Sequence, residues 1–197
     1  MRKILIVLLI LAAGQFALAQ PGGRFGVKGG TNLYFLKASN NRQLDYRNPR
    51  AGFVVGVSYE LALNKMISIQ PELNYSTQNA REDYFGSKLN VSYTQIPVLF
   101  QFHPTVRNKL YAGPQVSFLG TAKTTAQDGT KTGISNQLNQ TDFGVAFGVA
   151  HLPAQSGISV DVRVYQGMMN VYKAEYDNGL KTRNLLVSLT VGYLFKR

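Results

Sequence analysis

Apolar and polar residues alternate one by one through most of the chain, in segment after segment. Between residues 24 and 35, Phe25, Val27, Leu33 and Phe35 share one parity and Arg24, Lys28 and Asn32 the other. Phe53, Val55, Val57, Tyr59 and Leu61 then alternate with Gly52, Gly56, Ser58 and Glu60, and Ile67, Ile69, Leu73 and Tyr75 with Ser68, Gln70, Glu72, Asn74 and Ser76. Stretches 110–118, 143–149, 158–164 and 185–195 repeat the pattern. A period of two marks strands whose two faces meet different surroundings. Only 89–102 changes phase: Val91 and Tyr93 hand over to Ile96, Val98, Phe100 and Phe102 across Gln95, which predicts a bulge near Pro97. The count is about eight strands, many near the ~9–11 residues that a tilted membrane strand requires.

The connections sort by length. Polar segments 36–50, 79–88, 120–140 and 166–182 follow the first, third, fifth and seventh strands, and short ones, 62–66, 103–108 and 152–156, follow the second, fourth and sixth. Outer-membrane barrels alternate long extracellular loops with short periplasmic turns in this way, with both termini in the periplasm. Two architectures fit alternation as such: an eight-stranded antiparallel up-and-down transmembrane β-barrel with apolar residues facing lipid, and a soluble lipocalin-like ligand-binding barrel with an oily interior. Volume favours the first, because eight strands enclose room for little more than one layer of side chains or a small ligand. The small residues Gly26, Gly30, Gly52, Gly56, Gly144, Ala146, Gly148 and Ala150 lie on the polar parity, as a crowded lumen needs. Aromatics gather near strand ends, Phe25, Tyr59, Phe102, Tyr111 and Tyr193 at one side and Phe35, Phe53, Tyr75, Phe118 and Phe143 at the other, as two interfacial girdles.

The N-terminus supplies the compartment. Arg2 and Lys3 precede an apolar run over 4–11, and Ala17-Leu18-Ala19 is a small-x-small cleavage site, so 1–19 reads as a signal peptide and 20–197 as one barrel domain. The run spans about half of the ~20 residues a membrane helix needs. With no cysteine there is no lipid-anchored N-terminus, disulfide or thiolate metal site. The net charge of +11, or +9 without Arg2 and Lys3, would elsewhere suggest nucleic acid; for an exported chain, anionic lipid and lipopolysaccharide are the nearer partners. The near-terminal Tyr193-Leu194-Phe195 resembles the assembly signal read by the outer-membrane insertion machinery.

Candidate chemistry is sparse. Lys28, Glu60, Glu72, Asp161 and Arg163 fall on the polar parity, with Arg24, Lys109 and Asp142 nearer the ends. They form either a proton or ion path or, as we favour, a structural network of ion pairs, because a charge in a narrow barrel is costly unless paired. His103 and His151 both fall at the turn side, and strand pairing derived from the sequence forces no serine or acid beside them, so no catalytic role is assigned. No His/Asp/Glu spacing suggests a metal, and no cofactor is implied. The first long connection is basic, with Lys37, Arg42, Arg47 and Arg50 against Asp45. This suits solvated loops over an anionic leaflet, or docking of an envelope protein.

Specific strings add a family resemblance. Phe25-Gly26-Val27-Lys28-Gly29-Gly30, then Ile69-Gln70-Pro71-Glu72-Leu73-Asn74-Tyr75-Ser76, then Tyr93-Thr94-Gln95-Ile96-Pro97-Val98-Leu99 resemble the first, third and fourth strands of the PorT-like outer-membrane β-barrel family. Ala112-Gly113-Pro114, Asp142-Phe143-Gly144 and Asp161-Val162-Arg163 continue the likeness in the family's order. The resemblance implies an eight-stranded barrel of the cell outer membrane. For most members it implies no set activity; a named member serves type IX secretion, which leaves a role in a secretion or envelope assembly as the alternative to a structural or interaction barrel.

Overall fold

A computed structural model describes residues 23–40, 43–46, 48–81, 88–153, 157–176 and 181–195. The leader assigned to 1–19, and Arg42 and Arg47 of the basic connection, lie outside the described residues. Ten strands follow in order: β1 (Gly23–Asn40), β2 (Gln43–Tyr46), β3 (Asn48–Ala62), β4 (Ile67–Arg81), β5 (Lys88–Phe102), β6 (Asn108–Thr125), β7 (Lys131–Gly133), β8 (Thr141–His151), β9 (Ile158–Gly167) and β10 (Lys181–Leu194). Eight of them, all but β2 and β7, form the wall. Each pairs antiparallel with its neighbour in sequence order, and β10 returns to β1 through a register running from Gly26↔Leu194 to Ser39↔Lys181. Closure leaves the wall no free edge, the condition for strands to cross a bilayer.

The apolar parity faces outward. Phe53 is 50% exposed, Phe100 54% and Val191 56%, whereas Glu60, Glu72 and Gln115 on the other parity are at 2–4%. A lipocalin-like barrel requires the reverse, so that alternative is set aside. Phe25 stacks on Phe195 at 5.9 Å between ring centroids at the turn end, and Phe53 lies 6.0 Å from Tyr75 at the loop end. Tyr111 is not part of a girdle: it is buried and points into the lumen.

Two further expectations change. β5 keeps one parity throughout, with Leu89, Val91, Tyr93, Gln95, Pro97, Leu99 and Gln101 all buried, so there is no bulge at Pro97. The register slips instead between Val91 and Tyr93, whose partners Ala122 and Leu119 lie three residues apart on β6. What shifts along β5 is the chemistry of the interior, not the phase of the strand. The long connections are also shorter than read, because the wall strands run past the girdles: β1 continues to Asn40, pairs with β2, and β3 resumes at Asn48, so most of 36–50 is sheet.

The loop end of the lumen is closed by an apolar plug. The connection after β7 and the one after β9 fold over the barrel and meet at a Leu138↔Tyr172 bridge, tied by Asn139 N–H to the Val171 carbonyl (2.9 Å) and Lys173 N–H to that of Gln137 (3.0 Å). Ile134, Leu138 and Val171 are thereby buried on Tyr34, Leu36, Leu89, Val91 and Tyr93.

Candidate functional site

Below the plug the lumen is a stack of charged layers. At the turn end Glu60, on β3, takes Arg24 Nη2 at 2.6 Å on one carboxylate oxygen and Lys109 Nζ on the other. Strand register places Arg24 directly opposite Glu60. At mid-height Glu72 accepts five donors: Lys28 Nζ (2.6 Å), Arg163 Nη1 and Nη2 (2.7 and 3.0 Å), Gln70 Nε2 (2.7 Å) and Asn74 Nδ2 (3.0 Å). Arg163 also donates from Nε to the Tyr111 hydroxyl (3.1 Å), with its guanidinium 5.0 Å over that ring, and Tyr111 donates to Asp161. The third layer is neutral apart from its acid: Asp142 accepts from Tyr165 (3.0 Å) and Asn184 (2.7 Å), and Tyr34 in turn donates to Asn184 (2.6 Å).

Glycine makes the crossings possible. A Cβ on Gly148 would stand 2.4 Å from the Tyr111 hydroxyl and 2.3 Å from the Val162 carbonyl, and one on Gly56 would stand 1.9 Å from Asn74 Oδ1. Only a residue without a side chain lets those groups cross the wall so closely.

Space inside is divided accordingly. A cleft of about 40 Å³ opens toward the turns, and a smaller void of about 10 Å³ lies under the plug. Lys28, Asp161 and Arg163 line both, so the mid-height layer is the partition between them.

The structure thus brings Lys28, Glu72, Asp161 and Arg163 into one cluster and puts Glu60 in a separate one with Arg24 and Lys109. Of the basic connection, Arg50 lies exposed on β3 opposite Tyr34 and Asn79, and Lys37 holds the register position opposite Arg183. Sequence reasoning missed Tyr111, whose place on the polar parity was the available signal. It also missed a serine beside a histidine: Ser68 Oγ is 2.8 Å from His103 Nε2. Lys109 Nζ reaches Gln101 Oε1 at 3.5 Å and so fixes the amide; Ser68 donates to the same oxygen at 2.9 Å, which leaves His103 as the donor to Ser68 rather than its base. Partial burial, then the Lys109 ammonium, holds the imidazole below its ordinary value, against the opposing pull of Glu60. His151 hydrogen-bonds Asn108 at the turn surface (2.8 Å).

Known structures share this architecture. The crystal structure of Neisserial surface protein A is 15% identical, with 89% of this chain and 100% of that one covered and a TM-score of 0.56. Ail, the attachment invasion locus protein of Yersinia pestis, crystallised with the heparin analogue sucrose octasulfate, is 14% identical at the same coverage with a TM-score of 0.51. At such identities the likeness is one of fold. A search of curated proteins gives no match. Residues 18–173 match the family described as outer membrane protein beta-barrel domain. With the closed wall and its outward apolar face, this locates the protein in the outer membrane: the chain belongs to the outer membrane protein beta-barrel domain family.

Proposed function

We propose that the protein is a self-filled outer-membrane barrel with a structural or interaction role, presented to the outside through its loop end, and that it has neither catalysis nor an open pore. The observation that carries this reading is the lumen: eight described charges, Arg24, Lys28, Lys109 and Arg163 with Glu60, Glu72, Asp142 and Asp161, balance in number and fill the interior in layers. Such an interior holds the wall in register and satisfies its charged groups within the barrel. Export by a cleaved leader, with a mature chain from Gln20, and recognition of the C-terminal aromatic strand by the insertion machinery complete the proposal. N-terminal sequencing of the membrane-bound protein should begin at Gln20.

The PorT-like strings favour membership of that family, and the part of a named member in type IX secretion leaves a second reading, a component of a secretion or envelope assembly. Co-purification with such an assembly from cross-linked membranes would support it.

For the first reading the test is lipid mass spectrometry on envelopes with and without the protein. Acyl chains and head groups should be unchanged; a change that depends on Ser68 or His103 would make the protein an enzyme.

A further inference from the structure

The outer wall changes character just above the Phe53–Tyr75 ring pair. Outward positions there are Thr77, Asn79, Asn90 and Thr121, where the wall below carries Val55, Val57, Leu73 and Ile96. Both register irregularities among the described residues bracket this stretch, one between Arg50 and Val54 against β4 and the other between Val91 and Tyr93 against β6. Irregularities of this kind bend a sheet locally. Between them lies an external groove of about 440 Å³, which continues past Arg50 and Lys88 into a second hollow of about 240 Å³. Asn79 is fixed across the first irregularity by its amide bond to the Ala51 carbonyl (2.9 Å).

The ladder then gathers cations at the top of the groove. Asn90 pairs with Lys123, and on the next rung Lys88 pairs with Thr125, which pairs with Lys131 on β7. Lys88, Lys123 and Lys131 are all exposed, with Arg50 across the groove. Same-face diagonal neighbours stand roughly 7–8 Å apart, close enough for like charges to repel. Among the described residues none of these four has an ion-pair partner. An anionic group seated among them relieves that repulsion.

We propose that this groove binds the phosphorylated head group of an outer-leaflet glycolipid. Lys88, Lys123 and Lys131 take the phosphate, and Asn79, Asn90 and Thr121 hydrogen-bond sugar hydroxyls. The Phe53–Tyr75 pair supports the junction where acyl chains begin. A lipid fits better than a soluble anion because the groove opens downward onto the apolar wall, where tails continue along Val55 and Leu73. Phosphate is bound by lysine as a point charge, which tolerates the variable geometry of a mobile head group.

The site rests on the outer-membrane reading above, and the experiment separates the two. The full chain is reconstituted in phosphatidylcholine nanodiscs containing either lipid A or phosphatidylglycerol, and retained lipid is measured by native mass spectrometry. K88Q/K123Q/K131Q should lose lipid A affinity by about tenfold or more, which is about 1.4 kcal/mol or more for the three residues together. K181Q/R183Q, which removes two exposed cations on another part of the rim, should change it less than threefold, about half the tenfold loss on a logarithmic scale. The charge-preserving K88R/K123R/K131R should retain binding. Equal losses in the triple and control variants, equally tight phosphatidylglycerol binding, or displacement of lipid A by inorganic phosphate would each overturn the site. Faster gel migration before boiling reports the closed barrel: if the parent lacks it, the barrel reading falls, and if the triple variant keeps it, lost binding belongs to the groove.

Discussion

At the scale of single residues, Glu72 carries the lumen. Its side chain is fully buried and its two oxygens serve two cations and two amides, so Glu72→Gln keeps the shape and strands Lys28 and Arg163. Removing one partner of a buried pair costs about 3–5 kcal/mol, because the remaining charge is left uncompensated. Urea unfolding from lipid vesicles should show that loss for Glu72→Gln, and Glu72→Gln with Arg163→Met should recover part of it; a single variant as stable as the parent would remove the network from the stability argument. His103 predicts a pH effect of defined sign. Its value in the folded protein is lowered by burial and by Lys109, with Arg24 adding and Glu60 opposing. The unfolded chain therefore takes up its proton first as pH falls. The stabilisation is complete above the ordinary histidine value of ~6.5 and declines as pH drops toward the lowered one. The parent should lose unfolding midpoint between about pH 7.5 and about pH 5 by more than His103→Gln does, and identical profiles would refute the assignment.

At the scale of elements, the facing of β3 and β4 is the test of everything built on parity. Val57 and Leu73 are cross-strand partners on the outer face, and Arg at either site near the bilayer midplane should cost on the order of 2–4 kcal/mol in folding yield. Ser58 is buried beside Gly26, so Ser58→Leu overpacks the lumen and should cost roughly 1–3 kcal/mol, whereas Tyr59→Leu on the outer face is tolerated. Folding of Val57→Arg and Leu73→Arg at parental yield would reverse the wall. Strand identity and facing were legible because every span repeats the same period against two different solvents. β5 shows where legibility stops: the alternation is read from polarity, and when the interior itself turns apolar, at Leu89, Val91 and Tyr93 under the plug, an unbroken strand mimics a phase change. The loops misled for the opposite reason. Outside the bilayer both faces of a strand meet water, so the extended ends of β1, β3 and β6 are polar on both parities and read as coil. Lumenal partners were only half legible: Arg24 with Glu60 follows from neighbouring strands, but Arg163 reaching Glu72 across the barrel depends on closure, which no local pattern encodes.

At the scale of the whole molecule, two barriers stand in series along the barrel axis, and they differ in kind. The plug is apolar, made by Ile134, Leu138 and Val171 packed on the wall, and excludes ions because they would lose hydration there. The mid-height layer is ionic, Lys28 and Arg163 clamped on Glu72, and blocks passage by filling the section that separates the two cavities. In a series path the larger remaining barrier governs the current, so opening one should change little while the other stands. The parent in a planar bilayer should therefore give no steady conductance. Replacing 135–139 by a glycine-serine segment should leave the ionic layer intact and the current near zero, as should Glu72→Ala with Arg163→Ala beneath an intact plug. Only the combination should conduct, and with Arg24, Lys28 and Lys109 still balanced by Glu60, Asp142 and Asp161 along the path, it should show little preference between anions and cations. Migration as a closed barrel before boiling must accompany each variant, so that current is read from folded protein. Steady current from either single alteration would mean that one barrier is already permeable, and that the lumen is a gated path and not a filled core.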